Sequence, residues 1–441
     1  MMRVFVLVGW LLVASVGAQE AMRDGPPEWA IPEAAASKAF EDARAASEVD
    51  AGELWGKQLY GPLFFVDPGT RFVVANQVDN EEQLVDSEGL WVGELPLDEN
   101  MANTATHWAG VRWTMVMWPL PENRYDRTRL LIHECFHRIQ EELGLPGSNP
   151  ANNHLDGQQG RTWLRMEFRA LAEALIRRGE ARRTAVADAL VFRAHRRSLS
   201  EQAAADERAL EMNEGLAEYT GYKLSGLPDH VLADRVAVRL ERDERGENFV
   251  RSFAYAIGPA YGVLLDEAGA DWREGLTSDD DLGYLLALAL DISVIGDLRV
   301  EANKRAPRYD GGVVIAEEDE RAATQAARDS RQRARFVDGP VLAIPLGPDL
   351  RYSFNPNAAN GFGERGTVFW TARITDAWGI LEVEDGVLLQ RDGDGRMARA
   401  TLPAPSDPAG SSISGDGWTL TLNDGWRVTR GPRDGDWVIV P

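Results

Sequence analysis

The sequence predicts an α+β protein, because strand-like and helix-like patterns occupy separate blocks of its 441 residues. Residues 54–121 contain short apolar runs between turn residues, which is typical of β-strands. Residues 126–336 are rich in Ala, Leu, Arg and Glu at helical spacing, and residues 339–441 return to short β-type runs between Gly, Asp and Pro. We therefore expect a β-strand lobe, a helical lobe and a small all-β C-terminal domain.

Residues 1–18 have the pattern of a secretory signal peptide. A basic start at residues 1–3 precedes an apolar run at 4–16 and small residues suited to cleavage at 16–18. The apolar run is too short for a comfortable membrane span. We expect an exported protein, periplasmic or extracellular, with no stable membrane span in its mature form. An uncleaved N-terminal anchor is the alternative.

The composition excludes some classes of binding partner and one kind of covalent link. The formal net charge of −23 argues against nucleic acid or an anionic membrane surface, since both require basic protein surface. Cys135 is the only cysteine, so an intramolecular disulfide is excluded. It falls on the apolar face of its predicted helix, and we expect the thiol to pack in the core.

The strand lobe has two clear signals. Residues 62–76 predict a hairpin, with apolar arms at 63–66 and 71–74 around an Asp-Pro-Gly turn at 67–69. Residues 111–118 form a further apolar run and predict a strand just before the helical lobe.

Periodicity divides the helical lobe into helices and the C-terminal block into strands. Helices are predicted at 161–178, 181–198, 201–224, 229–242, 248–268, 281–291 and 313–335. Near the C-terminus, strands are predicted at 418–422, 426–430 and 437–440, with an Asn-Asp-Gly turn after the first.

His133 and His137 stand four residues apart with Glu134 between them, in the pattern HExxH that marks many zinc hydrolases. Side chains at i and i+4 share one face of a helix, so both imidazoles can bind one ion while Glu134 reaches an activated water. Zinc makes such a water acidic enough for Glu134 to accept its proton. The alternative is that the two histidines are ordinary polar residues at an accidental spacing.

The flanking sequence supports a helix around this pattern. Apolar residues recur at helical spacing beside the histidines, Asp126 is expected to cap the start, and Gly144 and Pro146 are expected to end it.

A catalytic zinc site needs a third protein ligand, and Glu214 is the best placed. It belongs to a predicted helix on which Glu214 and Glu218 share a face with small residues, so this helix can approach closely. Glu218 is positioned to accept a hydrogen bond from a ligand histidine. Glu167 stays a rival third ligand, unless it pairs with a neighbouring arginine, and His154 is a further rival in a loop.

HExxH followed by the helical segment Asn-Glu-Gly-Leu-Ala-Glu-Tyr at 213–219 resembles the gluzincins, the thermolysin- and aminopeptidase-like zinc metallopeptidases. The resemblance covers roughly residues 111–266 and implies a zincin-like catalytic domain, within residues 19–336 here. It implies one catalytic Zn²⁺ on His133, His137 and Glu214, with Glu134 as general base and Glu218 supporting a histidine. The chain departs from the family in spacing, because 77 residues separate the second histidine from the third ligand, and two extra helices must fold out of the way.

The resemblance also implies a donor for the developing oxyanion and a strand that holds the substrate. Tyr255 and Tyr261 are the candidates for the donor, on a helix that Gly258 and Pro259 are expected to kink. The alternative is that these tyrosines only fill the core. Residues 111–118 are the candidate substrate strand, and a plain core strand is the alternative.

The sequence thus predicts an exported zinc metallopeptidase acting on a peptide or protein substrate. Two alternatives remain at this point. One is a non-catalytic binding protein on a metallopeptidase scaffold, and the other is a zinc hydrolase of a non-peptide amide, which the same residues would serve.

Overall fold

The structure is a computed structural model of the full chain and describes residues 30–354 and 359–441. The predicted signal peptide, residues 1–18, lies outside the described residues. The chain is a mixed α+β protein with an all-β C-terminal region, which confirms the predicted class at that level. Contacts divide it into two compact units, to which residues 30–319 and 320–441 belong. In the described residues, no helix combines the length and the apolar character that a membrane crossing requires.

The N-terminal sheet has six strands in the order β3-β4-β2-β1-β6-β5. The strands are β1 Leu63–Val66, β2 Phe72–Ala75, β3 Val85–Ser87, β4 Leu90–Glu94, β5 Thr104–Trp108 and β6 Val111–Met117. The predicted hairpin is confirmed, because β1 and β2 pair antiparallel, with Phe65 opposite Val74. The predicted strand at 111–118 is also confirmed as β6. It pairs on both sides, parallel to β1 and antiparallel to β5, so β5 is the edge strand at this end of the sheet.

Both faces of this sheet are covered, as the apolar runs in its central strands require. Phe64 faces a cluster that includes Trp113, whereas Phe65 faces the opposite cluster together with helix α1, Glu33–Asp50. The Phe40 ring of α1 stacks on the Phe65 ring with centroids 4.5 Å apart. No helix was predicted in this part of the sequence.

The helical lobe contains the predicted helices together with α10, which the sequence analysis missed. Its helices are α2 Arg124–Ile139, α3 Gln158–Ile176, α4 Gly179–Arg197, α5 Ala203–Leu210, α6 Leu216–Lys223, α7 Asp229–Asp243, α8 Ser252–Glu267, α9 Leu282–Ala289 and α10 Leu298–Arg305. Helix α11, Gly311–Arg333, crosses the boundary between the two units.

Helix α3 lies at the centre of this lobe and packs against α4, α7 and α8. Most of its residues are buried, including Leu164, Phe168 and Leu171. Helices α3 and α4, which separate the histidines from Glu214 in the sequence, therefore form the core of this lobe, and α3 packs against α8 beside the Glu214 segment. Neither helix, each described over its full length, lines the cavity next to the histidines.

The predicted helix at 201–224 is interrupted by a π-helical turn, Glu211–Gly215, between α5 and α6. Glycines let this segment lie unusually close to its neighbours. A Cβ atom on Gly258 of α8 would lie 2.3 Å from the Gly215 Cα atom, and a Cβ on Gly221 would lie 2.5 Å from the Arg129 carbonyl oxygen of α2. The first contact seats the Glu214 segment against α8, and the second brings α6, which carries Glu218, up to the histidine helix.

The C-terminal unit consists of two antiparallel-rich sheets around a common core. Their strands are β7 Val341–Pro345, β8 Arg351–Phe354, β9 Ala359–Gly361, β10 Thr367–Phe369, β11 Ala372–Asp376, β12 Gly379–Val383, β13 Val387–Arg391, β14 Met397–Pro403, β15 Ser412–Gly415, β16 Trp418–Leu422, β17 Arg427–Arg430 and β18 Trp437–Val440. One sheet has the order β17-β18-β7-β14-β13-β10-β9 and the other β15-β16-β12-β11-β8. The three predicted terminal strands are present, but the Asn-Asp-Gly turn links strands of different sheets and closes no hairpin.

Candidate metal centre

Helix α2 carries the two histidines. The side chain of Asn123 caps it, because its Oδ1 atom accepts hydrogen bonds from the amides of Tyr125 (2.9 Å) and Asp126 (3.3 Å). Asp126 was the predicted cap, but its carboxylate instead pairs with Arg235. A short 3-10 turn follows the helix and ends at Gly144, which has a left-handed backbone with φ of 74°.

His133 and His137 turn the same ring atom toward each other. Their Nε2 atoms lie 3.2 Å apart. The Nδ1 atom of His133 lies 2.8 Å from Oε2 of Glu218, and that of His137 lies 2.8 Å from Oε1 of Gln140. Since both partners are acceptors, Nδ1 donates in each pair, which leaves Nε2 as the atom that can bind either a proton or an ion. The two Nε2 atoms thus face one point.

Glu214 completes a triangle around that point. Its Oε2 atom lies 3.5 Å from the Nε2 atom of each histidine. Ligands about 2.1 Å from a tetrahedral ion are separated by about 3.4 Å, so the three atoms match one face of such a tetrahedron. His133, Glu134 and His137 also form a group that could hold a metal ion, but Glu134 Oε1 is 4.0 Å from the His133 Nε2 atom. Glu214 makes the tighter set.

The electrostatics of the cluster favour a positive charge at its centre. Burial lowers the pKa of His133, but hydrogen bonds to Glu214 and Glu218 outweigh it and raise that pKa to about 10. Burial raises the pKa of Glu214, yet the two histidines hold the pKa well below its usual range. A bound cation would supply the same positive charge.

Glu134 is buried beside this triangle. Its Oε2 atom has no hydrogen-bond partner among the described residues. Burial raises the pKa of its carboxyl, and the two histidines oppose this effect only in part. A buried carboxylate oxygen with no partner is unusual in a folded protein and fits a proton acceptor that awaits a water molecule.

Tyr255 of α8 closes one side of the cluster. Its ring stacks on the His133 ring with centroids 5.7 Å apart and an interplanar angle of 4°. Its hydroxyl donates to Oε2 of Glu214 at 2.5 Å, and Arg251, the residue just before α8, donates to Oε1 of the same carboxylate at 2.6 Å. Helix α8 runs through Pro259 without interruption.

Of the two candidate tyrosines, only Tyr255 lies at the site, and Tyr261 does not line its cavity. It is fully buried and its hydroxyl donates to Glu167 Oε1 at 2.6 Å. Glu167, the rival third ligand, is also fully buried and pairs with Arg196 and Arg193 of α4. The neighbouring arginines on its own helix, which were its expected partners, bind other acids. His154, the other rival, lies 2.8 Å from Glu207 Oε1 in the same buried network.

Three residues that sequence patterns did not predict support the two histidines and Glu218. Gln140 orients His137 and donates from its Nε2 atom to the Met212 carbonyl at 3.4 Å. Its position three residues after His137 on the same helix face was the available signal. Arg129 and Arg239 bind Glu218, and no local pattern connects them to it.

An open cavity of about 510 Å³ gives access to the cluster. His133, Glu134, His137, Glu214 and Tyr255 line it, as do Thr104 and Ala105 of edge strand β5. Strand β6 contributes Arg112 to the cavity lining, but it pairs with a neighbouring strand on both sides and so has no free edge for a substrate strand. Cys135 faces the core, where burial raises its pKa to about 11, as its predicted packing role requires.

Comparison with protein-family models, with curated proteins and with solved structures gave no match to this chain. The interpretation of the site therefore rests on its residues and their geometry.

Proposed function

We propose that the protein is an exported zinc metallopeptidase whose ion is held by His133, His137 and Glu214. One observation carries the proposal: three acceptor atoms, two imidazole nitrogens and a carboxylate oxygen, lie 3.2 to 3.5 Å from one another around one point. Acceptors at this distance repel one another unless a proton or a cation lies between them.

The donor set favours zinc over other divalent ions. Two imidazoles and one carboxylate at tetrahedral spacing leave a fourth position open, as in catalytic zinc sites. Magnesium and calcium prefer larger sets of oxygen ligands. When bound, zinc supplies Lewis-acid chemistry, which polarises a carbonyl group and makes water acidic near neutral pH.

Glu134 is the proposed general base. Its carboxylate, with a raised pKa and an unpartnered Oε2 atom, accepts a proton from the attacking water. The same carboxyl then delivers the proton to the nitrogen of the leaving amine. Burial helps both steps, because it brings the pKa of the carboxyl closer to neutral pH and eases proton transfer in either direction.

Tyr255 is the proposed donor to the developing oxyanion. Its hydroxyl lies at the cluster, and the stacked His133 ring restricts its position. Burial, followed by the charge of Glu214, raises the pKa of this phenol, so it stays protonated. Its single proton, which it donates to Glu214 in this structure, would turn to the oxyanion during the reaction. Tyr261 does not have this role, because it is buried away from the cluster.

Edge strand β5 is the proposed substrate-binding strand. It has one unpaired edge in the sheet, and Thr104 and Ala105 line the cavity. An extended peptide can add to such an edge through backbone hydrogen bonds. This feature favours a peptide over a small amide, because a small amide would make no use of a strand edge.

The test is cleavage of a fluorogenic peptide library by the purified protein and by Glu134→Gln. We expect the variant to lose activity by about 10²–10⁴-fold while keeping its metal, since only the proton acceptor is removed. Glu142→Gln makes the same change at an exposed carboxylate paired with Lys57 and should retain full activity.

Full activity in Glu134→Gln would contradict the mechanism. Cleavage of simple amides without cleavage of any peptide would move the assignment to a non-peptide hydrolase. A metal-bound protein that cleaves neither would indicate a binding protein.

A further inference from the structure

A second cavity, of about 430 Å³, lies within the C-terminal unit and plays no part in the proposed peptidase. One wall is formed by the end of α11 and the π-helical turn that follows it, Ala334–Asp338. The contributing side chains recur every three or four residues and so share one helix face. They are Arg328, Arg331, Gln332, Arg335 and Phe336.

Two of the arginines on this wall have no acidic partner in the part of the chain that the structure describes. Arg335 is bound by the Asp385 carboxylate at 2.8 Å and by backbone carbonyls. Arg328 and Arg331 make no ion pair within residues 30–354 and 359–441. In a chain with a net charge of −23, two unpaired arginines at one cavity are a local excess of positive charge. This excess suits an anionic ligand.

Gln332 supplies the second observation. The residue is 2 % exposed, and neither Oε1 nor Nε2 of its amide has a hydrogen-bond partner in the described structure. An amide buried in this way destabilises the fold unless another molecule satisfies it. The missing partner must both donate and accept. A hydroxyl group does both, whereas a carboxylate only accepts.

The opposite wall is aromatic and polar. Half-buried Trp370 donates from its indole nitrogen to Asn360 Oδ1 at 2.6 Å, and both residues line the cavity. Gly386 lets Trp370 and Phe336 pack close together, because a Cβ atom there would lie 3.1 to 3.3 Å from their rings. An indole beside amides and guanidinium groups suits a ring that has apolar C–H groups as well as hydroxyls.

We propose that this cavity binds an acidic saccharide, with the carboxylate at Arg328 and Arg331 and ring hydroxyls at Gln332. The ring packs against Trp370. Each of these side chains then has a matching group on the ligand. The arginines bind the carboxylate, the amide bonds to hydroxyls, and the indole contacts a C–H face of the ring.

The test is isothermal titration calorimetry of the full chain with D-glucuronate, beside D-glucose as the uncharged counterpart. We expect glucuronate to bind with a Kd of about 1 mM or tighter and glucose to bind at least about tenfold more weakly. Arg331→Ala should weaken glucuronate at least about tenfold, the effect of losing a charge-assisted hydrogen bond. Arg399→Ala, at an exposed arginine of β14 outside the cavity, should not change it.

Gln332→Leu separates a ligand-binding role from poor packing. We expect this variant to lose glucuronate binding and to melt at a higher temperature than the parent, because it no longer buries an unsatisfied amide. Binding equal to the parent would overturn the proposal. So would no glucuronate binding, or equal affinity for glucose. Binding of an acetylated dipeptide with a free carboxylate in place of glucuronate would overturn the saccharide assignment in favour of a peptide.

Discussion

Two buried clusters of charged side chains in residues 30–319 differ in the source of their neutralising charge. The arginine cluster contains its own cations, and it comprises Glu167, Glu207 and Glu211 with Arg193, Arg196 and Arg197. The histidine cluster comprises His133, Glu134, His137 and Glu214, where acceptor atoms face one another. The comparison separates a structural role for a buried carboxylate from a metal-binding one.

Each acid in the arginine cluster is held by guanidinium groups. Glu207 binds Arg196 through both oxygens, at 2.9 and 2.7 Å, and Arg197 at 2.7 Å. Although burial raises the pKa of Glu207, Arg196 holds that pKa well below its usual range. Such a cluster needs no external ion, and adding one would displace an existing pair.

The histidine cluster differs because its central acceptors have no guanidinium between them. Arg251 reaches only the outer oxygen of Glu214, and Glu134 has an oxygen with no partner among the described residues. The inner carboxylate oxygen accepts only the neutral Tyr255 hydroxyl from outside the cluster, so the positive charge at its centre must come from a proton on the histidines or from a bound cation.

The largest stability effect is expected from Arg196→Met, which breaks the arginine cluster and leaves Glu167 and Glu207 buried without their main cation. The free energy of unfolding should fall by about 3–5 kcal/mol. Urea denaturation measures it, and elemental mass spectrometry of the folded fraction should show unchanged metal content. A parallel loss of metal and stability would mean that the two clusters are one functional unit.

A smaller effect, on metal affinity, is expected from Glu218→Gln. His133 Nδ1 then loses its carboxylate acceptor, so metal affinity should fall about 10–100-fold. Competition with a chromogenic chelator measures this affinity. Glu241→Gln, at an exposed position of α7, is the matched control and should bind metal like the parent. Equal affinity in both variants would remove Glu218 from the site.

The smallest effect is expected from Gly258→Ala, which tests the close contact behind Glu214. The added Cβ would lie 2.3 Å from the Gly215 Cα atom, and such overpacking typically costs about 1–3 kcal/mol. Thermal unfolding and metal affinity should both decrease. Gly312→Ala meets no atom within 4 Å and should leave stability unchanged or raise it by up to about 1 kcal/mol. Identical behaviour of the two variants would mean that the glycine contact does not position Glu214.

Local patterns predicted much of the fold. The β1–β2 hairpin, strand β6 and seven of the helical segments follow from periodicity and turn residues within about 20 positions. Long-range pairing did not follow from them. The sequence does not say that β6 is interior and β5 is the edge, or that the Asn-Asp-Gly turn passes between sheets, because both depend on partners far along the chain.

In the site, too, local patterns predicted some contacts, and contacts with distant parts of the chain did not follow from them. The four-residue spacing placed His133 and His137 together, and the acids on one helix face placed Glu214 near them. The local sequence did not indicate the partners of Glu167, because the arginines that pair with it lie 26 and 29 residues away, on α4. Its sequence neighbours Arg165 and Arg169 bind Glu244 instead. The ligand roles and the activity stay predictions.

Metal content tests the central claim most directly. Elemental mass spectrometry would be run on the purified protein after zinc reconstitution, beside Glu214→Ala and Glu167→Gln, with each value normalised to folded protein. We expect near-stoichiometric zinc in the parent and in Glu167→Gln, and loss of zinc in Glu214→Ala. A parent without zinc, or zinc that depends on Glu167 and not on Glu214, would contradict it.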